Sequence, residues 1–377
     1  EVIVHLIEKY YRDGFLEEAV RKAVRRLTGS FALGIISKRE PTKLIGVRSF
    51  SPLILGKGEK EKFLASDVPA ILDYTKKAIF LEENEIAILE KKNIKIMDFD
   101  GKVKKGKVHL IKWTTKDAQK EGFPHFMLKE IFEQPKVLER ILSQRIKKNI
   151  VYFEELKISK DTLKKIKNIC IVACGTAYHA GFVGKYILEK ICRIPTSVYL
   201  ASEFRYAEPI LDKDTLLIAI SQSGETADTL ASVRQAKLWG IKVLSICNVL
   251  GSSLTRESEG VIYIHAGPEI SVASTKAYTA QLAILYLFSF YLARIKDLIS
   301  EEKLSSYLKI LKSIPKKQNQ ILNNLDYIKG IARRHSNFGS FLYLGRNINY
   351  PSALEGALKL KEISYIPAEG YACLLYT

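Results

Sequence analysis

Ser221, Gln222, Ser223, Gly224, Glu225 and Thr226 put three hydroxyls, a carboxamide and a glycine into one turn. Before them, residues 214–220 (DTLLIAI) are an apolar run led by an acid, the pattern of a strand buried on both faces of a parallel sheet. After them, residues 227–239 have helical spacing. A helix N-terminus leaves its first N–H groups unpaired and carries partial positive charge. Hydroxyls and amides there can hold a phosphate with no lysine. Helix capping is the plainer use of Ser and Thr at such a place, but one residue suffices for it. Neither nucleotide loop pattern, G-x-x-x-x-G-K-[ST] or G-x-G-x-x-G, occurs in the chain. The expected ligand is a small phosphorylated molecule.

A second set of chemically capable groups is Glu355, Lys359 and Glu362, spaced i, i+4 and i+7 so that they share one helix face. As surface ion pairs they would add only about 0.2–0.5 kcal/mol each. In a pocket facing a phosphosugar, a carboxylate beside a lysine could move protons instead. Two further turns, Cys174-Gly175-Thr176 and Ser271-Val272-Ala273-Ser274, could be plain strand-to-helix punctuation or ligand contacts. Their occurrence beside the 221–226 turn favours a shared pocket.

The elements that must position these groups follow from hydrophobic periodicity. Strands are expected at 168–173, 196–200, 215–220, 243–247 and 261–264, alternating with helices at 177–191, 227–239 and from 275 onward. Such alternation predicts a doubly wound α/β fold, a parallel sheet with ligands at the carboxyl ends of its strands. A helical linker at 301–336 leads to a strand at 340–344 and a helix at 350–363, which echoes the 168–191 unit and suggests duplicated domains. The first part differs. Helical patterns at 2–11 and 16–27 precede short β-type runs at 30–36, 44–48, 53–55, 63–65, 78–81, 86–89 and 94–97, predicting an antiparallel α+β domain. The expected division is 1–97, a linker at 98–150, a first sheet domain at 151–312 and the start of a second at 313–377. Within the linker, residues 126–142 read as a helix interrupted by Pro135, its polar groups compatible with a solvated face.

Nearly half of the 377 residues are apolar, enough for sizeable cores. The net charge of +18 raises a nucleic-acid reading, but the lysines are spread in short groups with no recognition motif beside them. The expectation is no nucleic-acid partner. Five cysteines with no C-x-x-C pair suit a reducing, cytoplasmic setting. Residues 277–293 are apolar but carry Thr, Gln, Ser and Tyr, so a buried helix and no membrane partner are expected.

Six stretches carry a family resemblance: ACGTAYHA (173–180), ASEFRY (201–206), SQSGETADTL (221–230), CNVLGSSLTRES (247–258), SVASTKAYTAQL (271–282) and SALEGALKLKEISYI (352–366). Together they closely resemble the isomerising glutamine:fructose-6-phosphate aminotransferases. SDVPAIL (66–72), FLEENEIAIL (80–89) and KEIFEQP (129–135) look similar too. The resemblance implies parallel-sheet sugar isomerase (SIS) domains preceded by part of a class II, N-terminal-nucleophile glutaminase domain. It implies fructose 6-phosphate and glutamine as substrates, glucosamine 6-phosphate as product, a homodimer, and neither metal nor organic cofactor. By motif, Ser221, Gln222, Ser223 and Thr226 would bind the phosphate, and Thr176, Val272 and Ser274 would line the sugar site. Glu362 would carry a proton between C1 and C2, with Glu355 and Lys359 beside it. A non-catalytic sugar-phosphate regulator on the same domains is the rival expectation.

The family's nucleophilic cysteine and glutamine-binding motifs would precede Glu1, and its ring-opening histidine and Schiff-base lysine would follow Ala372. Pro367 stands where many relatives have histidine. The chain therefore reads as a central fragment, expected to have neither glutaminase nor synthase activity alone. Cys373 and the apolar residues after it depart from the pattern, resembling the first residues of an intein, with a frameshift or a cloning end as equal alternatives.

Overall fold

A computed structural model describes residues 1–11, 14–111, 113 and 119–372, so the expectations for Cys373 and its neighbours lie outside the described residues. The chain divides into two compact units, 1–119 and 120–377.

In the first unit, helices α1 (Val2–Tyr10) and α2 (Leu16–Val24) precede β1 (Phe31–Ile35), β2 (Leu44–Ser49), β3 (Ile54–Lys57) and β4 (Lys62–Ala65). A short helical turn, Pro69–Ile71, leads to β5 (Lys77–Phe80), β6 (Glu85–Leu89), β7 (Ile94–Asp98), β8 (Val103–Lys104) and β9 (Val108–Leu110). Two antiparallel sheets result, ordered β1-β2-β6-β7-β8 and β4-β3-β5-β9. Period-two alternation sorts the side chains: Ile86 and Ile88 face the α1–α2 core, whereas Ala87 and Leu89 join Leu55 and Leu81 in a second core. The antiparallel α+β architecture is as expected. Strands β8 and β9 appear inside the lysine-rich stretch expected to be linker, because ladder pairing with β7 and β5 supplies what side-chain composition did not signal.

The second unit opens with α3 (Phe126–Arg145), the two-residue strands β10 (Ile146–Lys147) and β11 (Ile150–Val151), and α4 (Lys160–Lys165). Then come β12 (Asn168–Ala173), α5 (Gly175–Cys192), β13 (Thr196–Leu200), α6 (Ala201–Ala207), β14 (Thr215–Ser221) and α7 (Ala227–Leu238). The sheet closes with β15 (Lys242–Cys247), α8 (Ser253–Glu257) and β16 (Gly260–Tyr263), followed by α9 (Lys276–Ile295), α10 (Glu301–Leu322) and α11 (Leu325–His335). Last are β17 (Phe341–Leu344), α12 (Asn349–Ser364) and β18 (Ala368–Tyr371).

Strands β13-β12-β14-β15-β16 pair in parallel throughout. Every residue of β14 is buried, which is why its sequence shows no polar alternation. Ile169, Ile171, Ile218 and Ile220 face one layer, with α5 and α9, and Cys170, Val172, Leu217 and Ala219 face the other, with α7. Because β13 and β14 flank β12 on opposite sides, the strand order reverses between β12 and β14, and a crevice opens at their carboxyl ends. The apolar helix α9 is long and apolar enough to cross a membrane by length and composition, but most of it is buried in this core. A small parallel pair, β17 and β18, carries α12, which packs on α5.

Two details of the expected linker differ. Helix α3 runs unbroken through Pro135, and its Val137, Leu138, Ile141 and Leu142 belong to the main core of the second unit. Burial against α9 and α10 offsets the hydrogen bond that the proline cannot donate. Nor is the polar face solvated, since Lys129 and Glu130 are only 2% and 1% exposed.

Candidate functional site

The crevice between β12 and β14 holds a cavity of about 200 Å³. Thr176 reaches it from the first turn of α5, Ser221, Gln222, Ser223 and Thr226 from the turn after β14, and Ser274 from the loop before α9. Cys174, Ala177, Ile220 and Gln281 complete the lining, so no cationic side chain is among the residues that form it. Six of the seven residues expected to contact substrate are thus brought together. Val272 is not among them: it is 95% exposed and does not line the cavity. Residues 271–273 form a bend before α9, and of the two predicted residues on this loop Ser274, not Val272, lines the cavity.

The hydroxyls of the 221–226 turn are not spent on capping α7, which has no side-chain cap. Ser221 Oγ accepts from Gly224 N at 3.0 Å and lies 3.1 Å from Thr226 Oγ1. Ser223 Oγ accepts from Glu225 N at 3.2 Å. Gly224 has φ of 68° and lies against Ser252 and Cys247, so this conformation needs a residue without Cβ. The turn therefore presents hydroxyls and an uncapped helix N-terminus to the cavity, a cradle suited to a phosphate.

Helix α12 brings Glu355 and Lys359 against Thr176 of the cavity wall, whereas Glu362 is exposed and meets Lys359. Glu355 Oε1 accepts from Thr176 Oγ1 at 3.0 Å, and Glu355 Oε2 lies 2.8 Å from His179 Nδ1. Lys359 Nζ donates to Thr176 Oγ1 at 2.9 Å and to Glu362 Oε2 at 2.6 Å. The expected i, i+4, i+7 face is real, and it is more than a surface ladder: Glu355 is buried, and the Glu355–Lys359 pair, at 3.4 Å, closes around a cavity residue. Tyr278, half-buried in the same core, has its hydroxyl pushed up to about 12 by burial and then by the charge of Glu355.

Several supporting residues escaped sequence reasoning. His179 follows Thr176 at i+3 on α5, a spacing that could have flagged it as a partner on the same face. Glu269 takes hydrogen bonds from Ser274 Oγ at 2.7 Å, Thr275 N at 2.8 Å and Ala277 N at 3.0 Å, fixing the start of α9. Burial pushes its carboxyl up, while those backbone donors pull it down. Glu130 of α3 accepts from Ile270 N at 2.7 Å and Ser271 N at 3.1 Å, and from Ser271 Oγ. Lys276, also buried, pairs with Glu133 of α3 at 2.5 Å. Among the described residues, no group of three or more His, Cys, Asp or Glu is arranged to hold a metal ion.

The fold and the site agree with what the chain resembles. A family model described as the SIS domain matches residues 162–290. The chain is 48% identical to a glutamine--fructose-6-phosphate aminotransferase [isomerizing] of Clostridium tetani, over 99% of this chain and 61% of that protein. It is 49% identical to the enzyme of the same name from Aquifex aeolicus, over 98% of this chain and 60% of that protein. Among solved structures, the C-terminal domain of glucosamine-fructose-6-phosphate aminotransferase from Francisella tularensis superposes with a TM-score of 0.65 at 43% identity, covering 67% of this chain and 71% of that one. The chain spans about 61% of the length of the curated relatives it matches. Identity of this order across both units shows that the chain belongs to the isomerising glutamine–fructose-6-phosphate aminotransferase family.

Proposed function

We propose that the full-length protein makes glucosamine 6-phosphate from fructose 6-phosphate and glutamine, and that the β12–β14 crevice is where the sugar phosphate binds. One observation carries the reading: a cavity walled by uncharged hydroxyls and an uncapped helix N-terminus lies against buried Glu355 and its half-buried partner Lys359. The phosphate would lie on Ser221, Gln222, Ser223 and Thr226, with Thr176 and Ser274 along the sugar. Glu362 takes a proton from C1 and returns it to C2, converting the ketose skeleton to the aldose. Lys359, donating to Glu362, holds that carboxylate in place. The reading extends to a cytoplasmic homodimer. The family resemblance supports the dimer, and the free thiols of Cys170, Cys174, Cys192 and Cys247 suit a reducing compartment.

Fructose 6-phosphate at about a hundred times its Kd should raise stability by about 2.7 kcal/mol in a thermal melt, and duplex DNA should not. In the full-length protein, Glu362→Gln should lower kcat by about 10²–10⁴-fold while leaving fructose 6-phosphate binding intact. Turnover that survives this substitution removes Glu362 from the role of base. A sugar-phosphate regulator would bind but show no turnover even in the wild type.

A further inference from the structure

Gln281 lines the cavity beside Ser221 and Ser274, yet its side chain is 1% exposed and its Oε1 has no hydrogen-bond partner among the described residues. Native folds keep few buried polar groups in that condition, because an unpaired one costs the desolvation of the group. The hydroxyls of two other α9 residues, Ser289 and Thr279, are satisfied within the helix. Ser289 Oγ donates to Leu285 O at 2.8 Å, and Thr279 Oγ1 donates to Lys276 O at 3.1 Å. The carboxamide of Gln281 stands two methylene groups away from its own backbone, on a residue that lines the cavity. Of its neighbours, Ser274 Oγ donates to Glu269, and the Ser221 hydroxyl lies 3.1 Å from Thr226 Oγ1.

The missing partner must be a donor. The oxygens of an ionised phosphate only accept, so the carbonyl end of Gln281 does not serve the phosphate. A sugar hydroxyl does. We propose that Gln281 is a specificity-determining residue of this site, its Oε1 accepting a hydrogen bond from a hydroxyl on the carbon chain of the bound sugar phosphate. This rests on the sugar-phosphate reading of the cavity. A site that offers a buried acceptor to a substrate hydroxyl discriminates against analogues lacking it, because the acceptor is then left unpaired.

Calorimetric titration of the full-length protein, as wild type and as Gln281→Met, tests the assignment. Methionine keeps the unbranched shape and removes the amide. Affinity for fructose 6-phosphate should fall about tenfold to hundredfold. Affinity for inorganic phosphate should stay within about twofold, because its contacts lie elsewhere. On the wild type, one monodeoxy analogue of fructose 6-phosphate should lose a comparable factor, and that analogue should bind the variant and the wild type alike. The assignment is overturned if Gln281→Met binds fructose 6-phosphate as the wild type does, or if its phosphate affinity falls in parallel. It is overturned without any variant if the wild type binds every monodeoxy analogue as tightly as the parent sugar. A wild-type protein that does not bind fructose 6-phosphate at all overturns the reading of the cavity itself, so the two failures are distinct.

Discussion

At the scale of single residues, the phosphate turn depends on Gly224. A Cβ there would come within 2.1 Å of Ser252 Oγ and 2.7 Å of Cys247 Sγ, and the left-handed backbone would be strained as well. The backbone term alone is about 1–2 kcal/mol for a residue with a side chain. Gly224→Ala should therefore lower the melting temperature and weaken fructose 6-phosphate binding by about tenfold or more. Unchanged melting and unchanged affinity would show that the turn relaxes freely and that its geometry is not what binds phosphate. The hydroxyl types in this turn were legible because their local density exceeds what capping needs. The exposure of Val272 was not, since it depends on how one loop is held by residues far away in sequence.

At the scale of elements, α3 controls that loop. Glu130 receives two backbone N–H groups and one hydroxyl from residues 270 and 271, about 140 positions downstream, and it is itself buried. Removing the carboxylate leaves these donors unpaired, at about 1–3 kcal/mol for a buried group. Glu130→Ala should lower stability by that order and raise the Kd for fructose 6-phosphate through the displaced 270–276 loop, both measurable by melts with and without the sugar. If stability falls while the sugar-dependent stabilisation stays at its wild-type size, α3 supports the core and not the site. From the sequence, Lys129, Glu130 and Glu133 look like a solvated helix face. Periodicity reports which residues share a face, whereas partners on another element decide whether a polar face is wet or paired.

At the scale of the whole molecule, the second unit is built around a five-stranded parallel sheet with packed helices on both sides, and its thiols sample both layers. Cys192 belongs to the α5–α9 side, and Cys170 lies on the opposite face of the sheet. Burial pushes the Cys170 and Cys247 thiols up to about 11 and the Cys192 thiol up to about 12. At pH 8 a thiol with a pKa of 11 is ionised about one part in a thousand, and only the thiolate reacts. All three should resist alkylation in the native protein and be modified together as denaturant unfolds the unit, read peptide by peptide in a mass spectrometer. Rapid native modification of Cys247 would mean that the turn packed against it opens far more readily than its burial implies.

The sequence by itself determined the classes of structure and the kind of ligand. Unbroken apolar strands alternating with helices require a covered parallel sheet, and the hydroxyl turn after β14 requires an acceptor-rich ligand. Those signals are local, carried by residues within one strand or one turn. Tertiary structure alone decided which distant groups meet. It joined Thr176 to Glu355 across 179 positions, buried the polar face of α3 against the 270–276 loop, exposed Val272, and left Gln281 unpaired in the cavity wall. Each of these outcomes depends on the folded path of the chain, because a hydrogen bond is satisfied or orphaned by what lies within about 3 Å in space, whatever its distance in sequence.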